Sequence, residues 1–178
     1  MRKLHSLIFL LLALSGVAQA QKKEYVCQPC GRPCDEKVLD HPGTCSACQM
    51  ALVEKSTVNI KNVSPKEFCE RMTANPDAIV LDVRSPGEFN GSASGSYGHF
   101  QRAININIDQ LESRIKELAA YKNREILVYC SHSHRSPRAV YILSTQGFSN
   151  VVNMSGGVST IRDGNLECFK SQFVPHKK

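Results

Sequence analysis

Hydrophobic and polar positions divide the chain into three stretches. Residues 7–14 form a short, almost wholly apolar run, whereas residues 21–55 contain few aliphatic side chains. From residue 56 onward, apolar runs of strand length alternate with segments that carry helix start and stop signals. Strands that alternate with helices predict an α/β fold in which helices flank a parallel sheet.

The predicted strands are short apolar or β-branched runs bounded by turn residues. They are Val58–Ile60, Ala78–Val83, Glu125–Tyr129 and Asn150–Met154. Ile and Asn alternate over Ala103–Ile108 before the next helix signal. Residues 85–98 contain four glycines among many serines and are predicted to be a loop.

The helix signals lie between these strands. Ser64 and Pro65 begin one helix, and a glutamate at position 67 completes a capping box. Asp109 is expected to cap a second helix over residues 110–120. A third begins at Ser136 and ends near residue 146, because Gly147 follows. A last helix is expected after the Gly-Gly pair at 156–157.

The first twenty residues have the pattern of an export signal. Arg2 and Lys3 give a positive start, the apolar run follows, and Ala18-Gln19-Ala20 supplies small residues before a cleavage point. The run is shorter than the roughly 20 apolar residues that span a bilayer. We therefore expect a signal peptide over residues 1–20, a periplasmic or secreted protein, and no stable membrane anchor. A retained amino-terminal anchor is the alternative.

Charge adds little to this picture. The chain carries a formal charge of +6, and removing residues 1–20, with two cations and no anions, leaves +4. The cations are scattered rather than clustered, so we expect no nucleic-acid partner.

Cys130 follows the strand 125–129 and begins a polar loop that leads into a helix. The loop reads Cys130-Ser131-His132-Ser133-His134-Arg135, and Ser136 begins the helix. Helix-start amides, the arginine and protonated histidines all favour a thiolate. Cys-based phosphatases place five residues between Cys and Arg, whereas four stand here. The smaller ring of amides suits one extra sulfur atom better than a tetrahedral oxyanion.

Motifs on both sides of this loop point to a known family. They are Ile79–Arg84 with Glu88-Phe89, Gly98-His99-Phe100, residues 103–106, the Cys130 loop, and Ser155-Gly156-Gly157. From about Thr57 to Phe169 the chain resembles the single-domain rhodaneses, which are sulfurtransferases. The resemblance implies a rhodanese-like domain over residues 56–178 and no organic cofactor.

The resemblance also implies roles for individual residues. Cys130 would take sulfur from a small donor, by default thiosulfate, hold it as a persulfide, and pass it to a thiol or another thiophilic acceptor. Arg135 would orient the donor, while Asp82 and Arg84 would brace the site. The substrate-binding loop would comprise Ser131, His132, Ser133, His134 and Ser136.

Two loop positions depart from the family pattern. Members often carry Arg directly after the Cys and Gly at the fourth loop position, where this chain has Ser131 and Ser133. His132 and His134 could substitute as donors. The two serines favour one alternative, a scaffold whose catalytic activity has decayed. A second alternative is a metal-stress or redox protein whose amino-terminal cysteines bind thiophilic ions while Cys130 supplies sulfur.

Residues 21–55 form a separate Cys-rich segment. Two Cys-x-x-Cys pairs, Cys27/Cys30 and Cys45/Cys48, are separated by fourteen residues and can aim four sulfurs at one point. They predict a small zinc-knuckle-type module with a structural zinc, the default ion for an S₄ site. Residues 25–27 and 42–52 resemble the small heavy-metal-binding domain. Two disulfides are the alternative to a metal.

Four further donors remain without an assigned role. Cys34 and His41 lie within reach of the predicted zinc site. Cys69 and Cys168 are expected to be buried or idle thiols, although a bond between them stays open.

Overall fold

The computed structural model describes residues 22–94, 96–161 and 167–176, without the side chains of Glu167 and Cys168. The expected signal peptide and the side chain of Cys168 therefore lie outside the described residues. Among the helices that are described, none is long and apolar enough to cross a membrane.

The strands of the described residues are β1 (Tyr25–Cys27), β2 (Leu52–Glu54), β3 (Lys61–Val63), β4 (Ile79–Asp82), β5 (His99–Phe100), β6 (Ile104–Asn105), β7 (Glu125–Tyr129), β8 (Asn150–Met154) and β9 (Phe173–Val174). The α-helices are α1 (Pro65–Ala74), α2 (Pro86–Asn90), α3 (Leu111–Arg114), α4 (Ser136–Thr145) and α5 (Glu167–Gln172). Short 3₁₀ helices occupy Pro33–Glu36, Lys55–Thr57, Ile108–Gln110, Ile115–Tyr121 and Val158–Thr160.

A five-stranded parallel sheet forms the centre of the molecule, in the order β3-β8-β7-β4-β6. The expected α/β fold is confirmed. Two antiparallel pairs stand apart from this sheet: β1 with β2 in the Cys-rich module, and β5 with β9. The carboxyl ends of β4, β7 and β8 lie side by side, where ligands bind in open α/β sheets.

Strand β7 shows how the sheet separates two cores. Ile126 and Val128 are packed with the helical residues of α3 and α4 on one face. Leu127 and Tyr129 are packed on the other face with α1 and with Phe100. Side chains alternate along a strand, so Cys130, one residue beyond β7, falls on the α4 face.

Several element boundaries differ from expectation. The first strand of the sheet lies at Lys61–Val63 rather than at residues 58–60. The helix expected over 110–120 is one turn of α-helix between two 3₁₀ segments, and Asn107, not Asp109, caps it. Helix α2 lies inside the segment that was expected to be a loop.

The helix caps correct one detail of α1. The Ser64 hydroxyl accepts the predicted bond from the Glu67 amide at 3.1 Å. The Glu67 carboxylate instead accepts two bonds from Arg71, so the capping box is incomplete there. Cys69 on the same helix is disulfide-bonded, which corrects the expectation of a thiol.

Candidate functional site

The Cys130 thiol lies between the end of β7 and the start of α4. The residue is fully buried, and the Ser136 hydroxyl donates a hydrogen bond to Sγ at 3.3 Å. Ser136 is the first residue of α4 and is itself buried. The amino end of this helix therefore lies next to the sulfur, where its dipole favours negative charge.

The chain after β8 supports the backbone of the loop. The carbonyl groups of Cys130 and Ser131 accept hydrogen bonds, both of 2.9 Å, from the amides of Val158 and Ser159. Gly157 has φ +64, and a Cβ on it would lie 2.4 Å from the Cys130 carbonyl oxygen. Only glycine permits this approach, so the Gly156-Gly157 turn is required to hold the Cys130 loop.

Arg135 is paired with Glu88, a residue that was not predicted to belong to the site. Its guanidinium donates two bonds of 2.7 Å to Glu88, and the Ser131 hydroxyl donates a third at 2.8 Å. The bond to Arg135 holds the pKa of Glu88 well below its usual range. The same bond raises the pKa of Arg135. Arg135 is therefore already paired with the Glu88 carboxylate before a sulfur donor binds.

Glu88 had a signal in the sequence. Ser85-Pro86-Gly87-Glu88 repeats the start pattern of α1, and here the full capping box forms. The Ser85 hydroxyl accepts from the Glu88 amide at 3.2 Å, and the Ser85 amide donates to the Glu88 carboxylate at 3.1 Å. The glycines around this motif made the segment look like a loop.

Ser133 occupies the position where the rhodanese pattern often has glycine. Its φ is +58, so the backbone adopts the left-handed conformation that the family glycine permits. The Asn153 amide donates at 2.8 Å to the Ser133 hydroxyl and at 2.8 Å to Asn62 Oδ1. These bonds tie the strained residue to β8 and β3.

The two loop histidines lie at the surface. His132 Nε2 is 3.1 Å from the Tyr97 hydroxyl, and the rings of His132 and His134 are 6.5 Å apart. The structure places both near the loop but shows no contact between them and the Cys130 sulfur.

Asp82 and Arg84 form a fully buried ion pair at the end of β4. Arg84 donates to both Asp82 oxygens, at distances down to 2.6 Å, and to the Gly98 carbonyl at 2.8 Å. Burial opposes the charged guanidinium, but the Asp82 bonds outweigh it and raise the pKa of Arg84. This geometry joins β4 to the segment before β5, as a bracing pair would.

Five cysteines converge in the amino-terminal module, in a different combination from the predicted one. Cys27, Cys34, Cys45 and Cys48 have sulfur atoms that all lie within 4.8 Å of one another. Cys34 thus stands where Cys30 was expected, because the 3₁₀ turn at Pro33–Glu36 brings it back toward Cys27. The six free cysteines of the described residues are these four, Cys30 and Cys130.

The chemistry of this cluster fits zinc. Four sulfurs at 2.3 Å from a tetrahedral Zn²⁺ are about 3.8 Å apart, and the sulfurs of the observed group all lie within 4.8 Å of one another. The amides of Cys48 and Ala47 lower the pKa of Cys45 to about 7, as suits a ligand that binds as thiolate. Burial raises the pKa of Cys27. The cluster could therefore hold a metal ion.

The Cys-rich module packs beside the Cys130 loop. A cleft of about 400 Å³ is lined by Cys27, Pro29 and Gly31 on one side and by Ser133 and Asn153 on the other, among other residues. A Cβ on Gly31 would lie only 2.1 Å from the Ser133 carbonyl oxygen. The module therefore forms part of the surroundings of the loop.

Residues 64–163 match the rhodanese-like domain family. The chain belongs to this family, whose domain supports a sulfurtransferase-type enzyme. The predicted resemblance to rhodaneses is confirmed, whereas the resemblance of the amino-terminal segment to a heavy-metal-binding domain stays a prediction.

Individual relatives differ in their names. The chain is 32% identical over 101 residues to a tRNA uridine(34) hydroxylase of Buchnera aphidicola, a match that covers 54% of this chain and only 30% of that protein. A sulfurtransferase of Allochromatium vinosum is 24% identical over 99 residues, covering 56% of this chain and 85% of that protein. A structure from Rhodopseudomonas palustris, described as a possible tyrosine phosphatase, has a TM-score of 0.51 at 18% identity and covers 59% of this chain and 81% of its own. That likeness shows the fold alone.

Proposed function

We propose that the protein is an exported sulfurtransferase that carries sulfane sulfur on Cys130. The observation that carries this proposal is the position of Sγ, at the end of a central parallel strand and against the first residue of α4. The family match supports the reaction class, and the pattern of residues 1–20 supports export.

The reaction proceeds in two successive nucleophilic displacements at sulfur. The Cys130 thiolate attacks the outer sulfur of thiosulfate, the default donor, so an S–S bond forms on the protein while the donor S–S bond breaks and sulfite leaves. An acceptor thiolate then attacks the terminal sulfur of the persulfide. The Cys130 thiolate departs, and the acceptor leaves as a persulfide.

The loop residues determine how well an anionic donor binds. Arg135 is the cation nearest in sequence to the sulfur, but the Glu88 carboxylate neutralises it through a bidentate pair. A donor anion must compete with that carboxylate, so we expect weak binding of thiosulfate. Ser136 donates to the sulfur and helps to stabilise the thiolate and the persulfide anion.

Zinc in the amino-terminal module would cross-link Cys27, Cys34, Cys45 and Cys48. It would supply a structural link among β1, the 3₁₀ helix at Pro33–Glu36 and the turn that precedes β2, in a segment with few aliphatic residues. No step of sulfur transfer needs this ion.

The test is persulfide formation on the mature chain with its metal content measured. Protein is incubated separately with thiosulfate and with inorganic polysulfide, then digested and mapped by mass spectrometry. We expect one added sulfur on the Cys130 peptide, lost again when a small thiol is added. Cys130→Ser should take up no sulfur on that peptide, whereas Cys34→Ser should leave it unchanged. No sulfur on Cys130 with either donor, or equal sulfur release by wild type and Cys130→Ser, would reject the proposal.

One observation favours a second candidate, a non-catalytic scaffold. Cys130 is fully buried and Arg135 already has an internal partner, so donors reach the sulfur only when the loop opens. Alkylation by iodoacetamide in the native state distinguishes the two. A catalytic Cys130 reacts under native conditions, and thiosulfate slows the reaction. A scaffold cysteine reacts only on unfolding.

Export is tested separately by fractionating cells that express the full chain. The proposal expects the protein outside the cytoplasm with Gln21 as its first residue. A cytoplasmic protein that retains residues 1–20 would contradict it.

A further inference from the structure

The thiol cluster contains two groups of four donors, not one. The first is Cys27, Cys34, Cys45 and Cys48, and the second is Cys27, Cys30, Cys34 and Asp35. In each group every pair of donor atoms lies within 4.8 Å. Cys27 and Cys34 belong to both groups, and we call them the shared pair.

We propose that the module binds two thiophilic divalent ions, bridged by the thiolates of the shared pair. Two tetrahedral ions that share an edge need six donors, of which two bridge and two are terminal on each ion. The cluster supplies this set: the shared pair bridges, Cys45 and Cys48 complete one ion, and Cys30 and Asp35 complete the other.

Asp35 is held in place as a ligand rather than left in solvent. Its Oδ2 accepts bonds from the Cys30 and Gly31 amides at 2.9 and 2.7 Å. Its Oδ1 accepts a hydrogen bond of 3.0 Å from the Cys30 thiol, which brings carboxylate and sulfur close to the spacing of two ligands on one ion. Backbone donors that fix a ligand in this way are the usual outer support of a metal site.

Sulfur spacing supports both halves of the cluster. Cys27 Sγ lies 3.0 Å from Cys48 Sγ, and Cys30 Sγ lies 3.4 Å from Cys34 Sγ. Both distances exceed the roughly 2.05 Å of a disulfide and fall somewhat short of the about 3.8 Å between thiolates on one zinc ion. Each member of the shared pair is thus close to a terminal ligand of a different ion.

Charge selects the class of ion. Five thiolates and one carboxylate carry six negative charges, of which two divalent ions neutralise four and two monovalent ions only two. Zn²⁺ and Cd²⁺ suit both the geometry and the donors, because they accept tetrahedral thiolate and carboxylate ligands.

The experiment titrates Cd²⁺ into the metal-free mature protein with the Cys69 disulfide retained, and counts bound ions by native mass spectrometry. Thiolate-to-cadmium charge-transfer absorbance is followed in parallel. Wild type should bind two ions, with absorbance rising up to two equivalents. Cys30→Ser and Asp35→Asn should each bind one.

Two matched variants control the count. Glu36→Gln removes an exposed acid next to Asp35 and should still bind two ions. Cys130→Ser should also bind two, which excludes the active-site thiol as a ligand. ¹¹³Cd NMR of wild type should show two resonances that couple through the bridging sulfurs. A single ion in wild type, or two ions retained by Cys30→Ser, would overturn the proposal.

Discussion

Glu88 links the Cys130 loop to helix α2 through both of its carboxylate oxygens. It accepts from Arg135 and Ser131 while its own amide and side chain complete the cap of α2. Its side chain is only 17% exposed, so solvent screens these bonds less than those of a surface pair. A residue without direct contact to the sulfur therefore sets the charge that a donor meets.

We expect Glu88→Gln to lower the free energy of unfolding by about 1 to 3 kcal/mol at pH 7, because it weakens bonds to a charged partner. Freed from its carboxylate, Arg135 should bind thiosulfate more tightly and lower KM. The control is Glu117→Gln, which breaks the exposed pair with Arg114 and should cost much less. Urea unfolding and steady-state kinetics measure the two effects. A raised KM would contradict the interpretation that Glu88 competes with thiosulfate for Arg135.

The same residue predicts a pH dependence. The folded protein holds the pKa of Glu88 well below its ordinary value of 4.5, so folding favours the ionised carboxylate. The stabilisation that the ionised Glu88 provides is fully present above pH 4.5. It is lost as the pH falls from there toward the lower pKa of Glu88 in the folded protein. The stability gap between wild type and Glu88→Gln should therefore stay constant above about pH 5 and shrink as the pH falls below about 4.5. Urea unfolding at several pH values measures the gap, and a constant gap would show that Glu88 does not titrate as described.

The loop between β7 and α4 forms its turn with Ser133 in a conformation that suits glycine. Left-handed backbone costs a non-glycine residue about 1 to 2 kcal/mol. The hydrogen bond from Asn153 offsets part of that cost. The loop keeps the family backbone without the family residue, at the expense of stored strain.

Two substitutions separate strain from bonding at this position. Ser133→Ala loses the Asn153 bond and keeps the strain, whereas Ser133→Gly loses the same bond and relieves the strain. We expect the glycine variant to be more stable than the alanine variant by about 1 kcal/mol. Thermal and urea unfolding of the pair measure this difference. Equal stabilities would show that φ +58 carries little strain here.

Elements bounded by clear turn signals were predictable from the sequence. Strands β7 and β8 lie where the apolar runs placed them, and α4 ends one residue before its expected end, at the turn to Gly147. These elements are buried between strong stop signals, so local pattern and tertiary packing agree. Because β7 and the start of α4 were predicted correctly, the loop that carries Cys130 and Arg135 was also predicted correctly.

Contacts between distant segments were not predictable in this way. Glu88 and Arg135 form an ion pair although they are 47 residues apart in the sequence. The glycines around Glu88 predicted a loop, whereas the structure has the short helix α2 there. The choice of Cys34 over Cys30 depends on the left-handed turn at Gly31 and the 3₁₀ helix that follows it. The two Cys-x-x-Cys motifs predict that cysteine sulfurs converge. Their spacing does not determine which of Cys27, Cys30 and Cys34 join Cys45 and Cys48.

The two modules meet where Gly31 lies against the Cys130 loop. Gly31 directly follows a cysteine of the thiol cluster, and its amide donates to Asp35. On the other side of the contact stands the carbonyl group of the strained Ser133. The position of the Cys-rich module and the conformation of the loop are thus coupled through one residue without a side chain.

This contact predicts that Gly31→Ala displaces the module. A Cβ at Gly31 would lie 2.1 Å from the Ser133 oxygen and 3.0 Å from the His134 Cα, both backbone atoms that move only if the loop or the module moves. Gly147→Ala is the matched control, because its φ of +85 imposes a similar backbone cost while its nearest neighbour is 3.8 Å away. We expect Gly31→Ala to cost about 1 to 3 kcal/mol more than the control, the usual penalty of overpacking.

The readout that identifies displacement is trypsin cleavage within residues 22–37, compared with the rate of sulfur uptake by Cys130. Gly31→Ala should accelerate cleavage several-fold and change the uptake rate, because the loop loses the backbone it packs against. The control should alter neither, since Gly147 follows the far end of α4. If both variants are cleaved and loaded with sulfur at the wild-type rate, the module does not hold the loop and the two parts of the chain act independently.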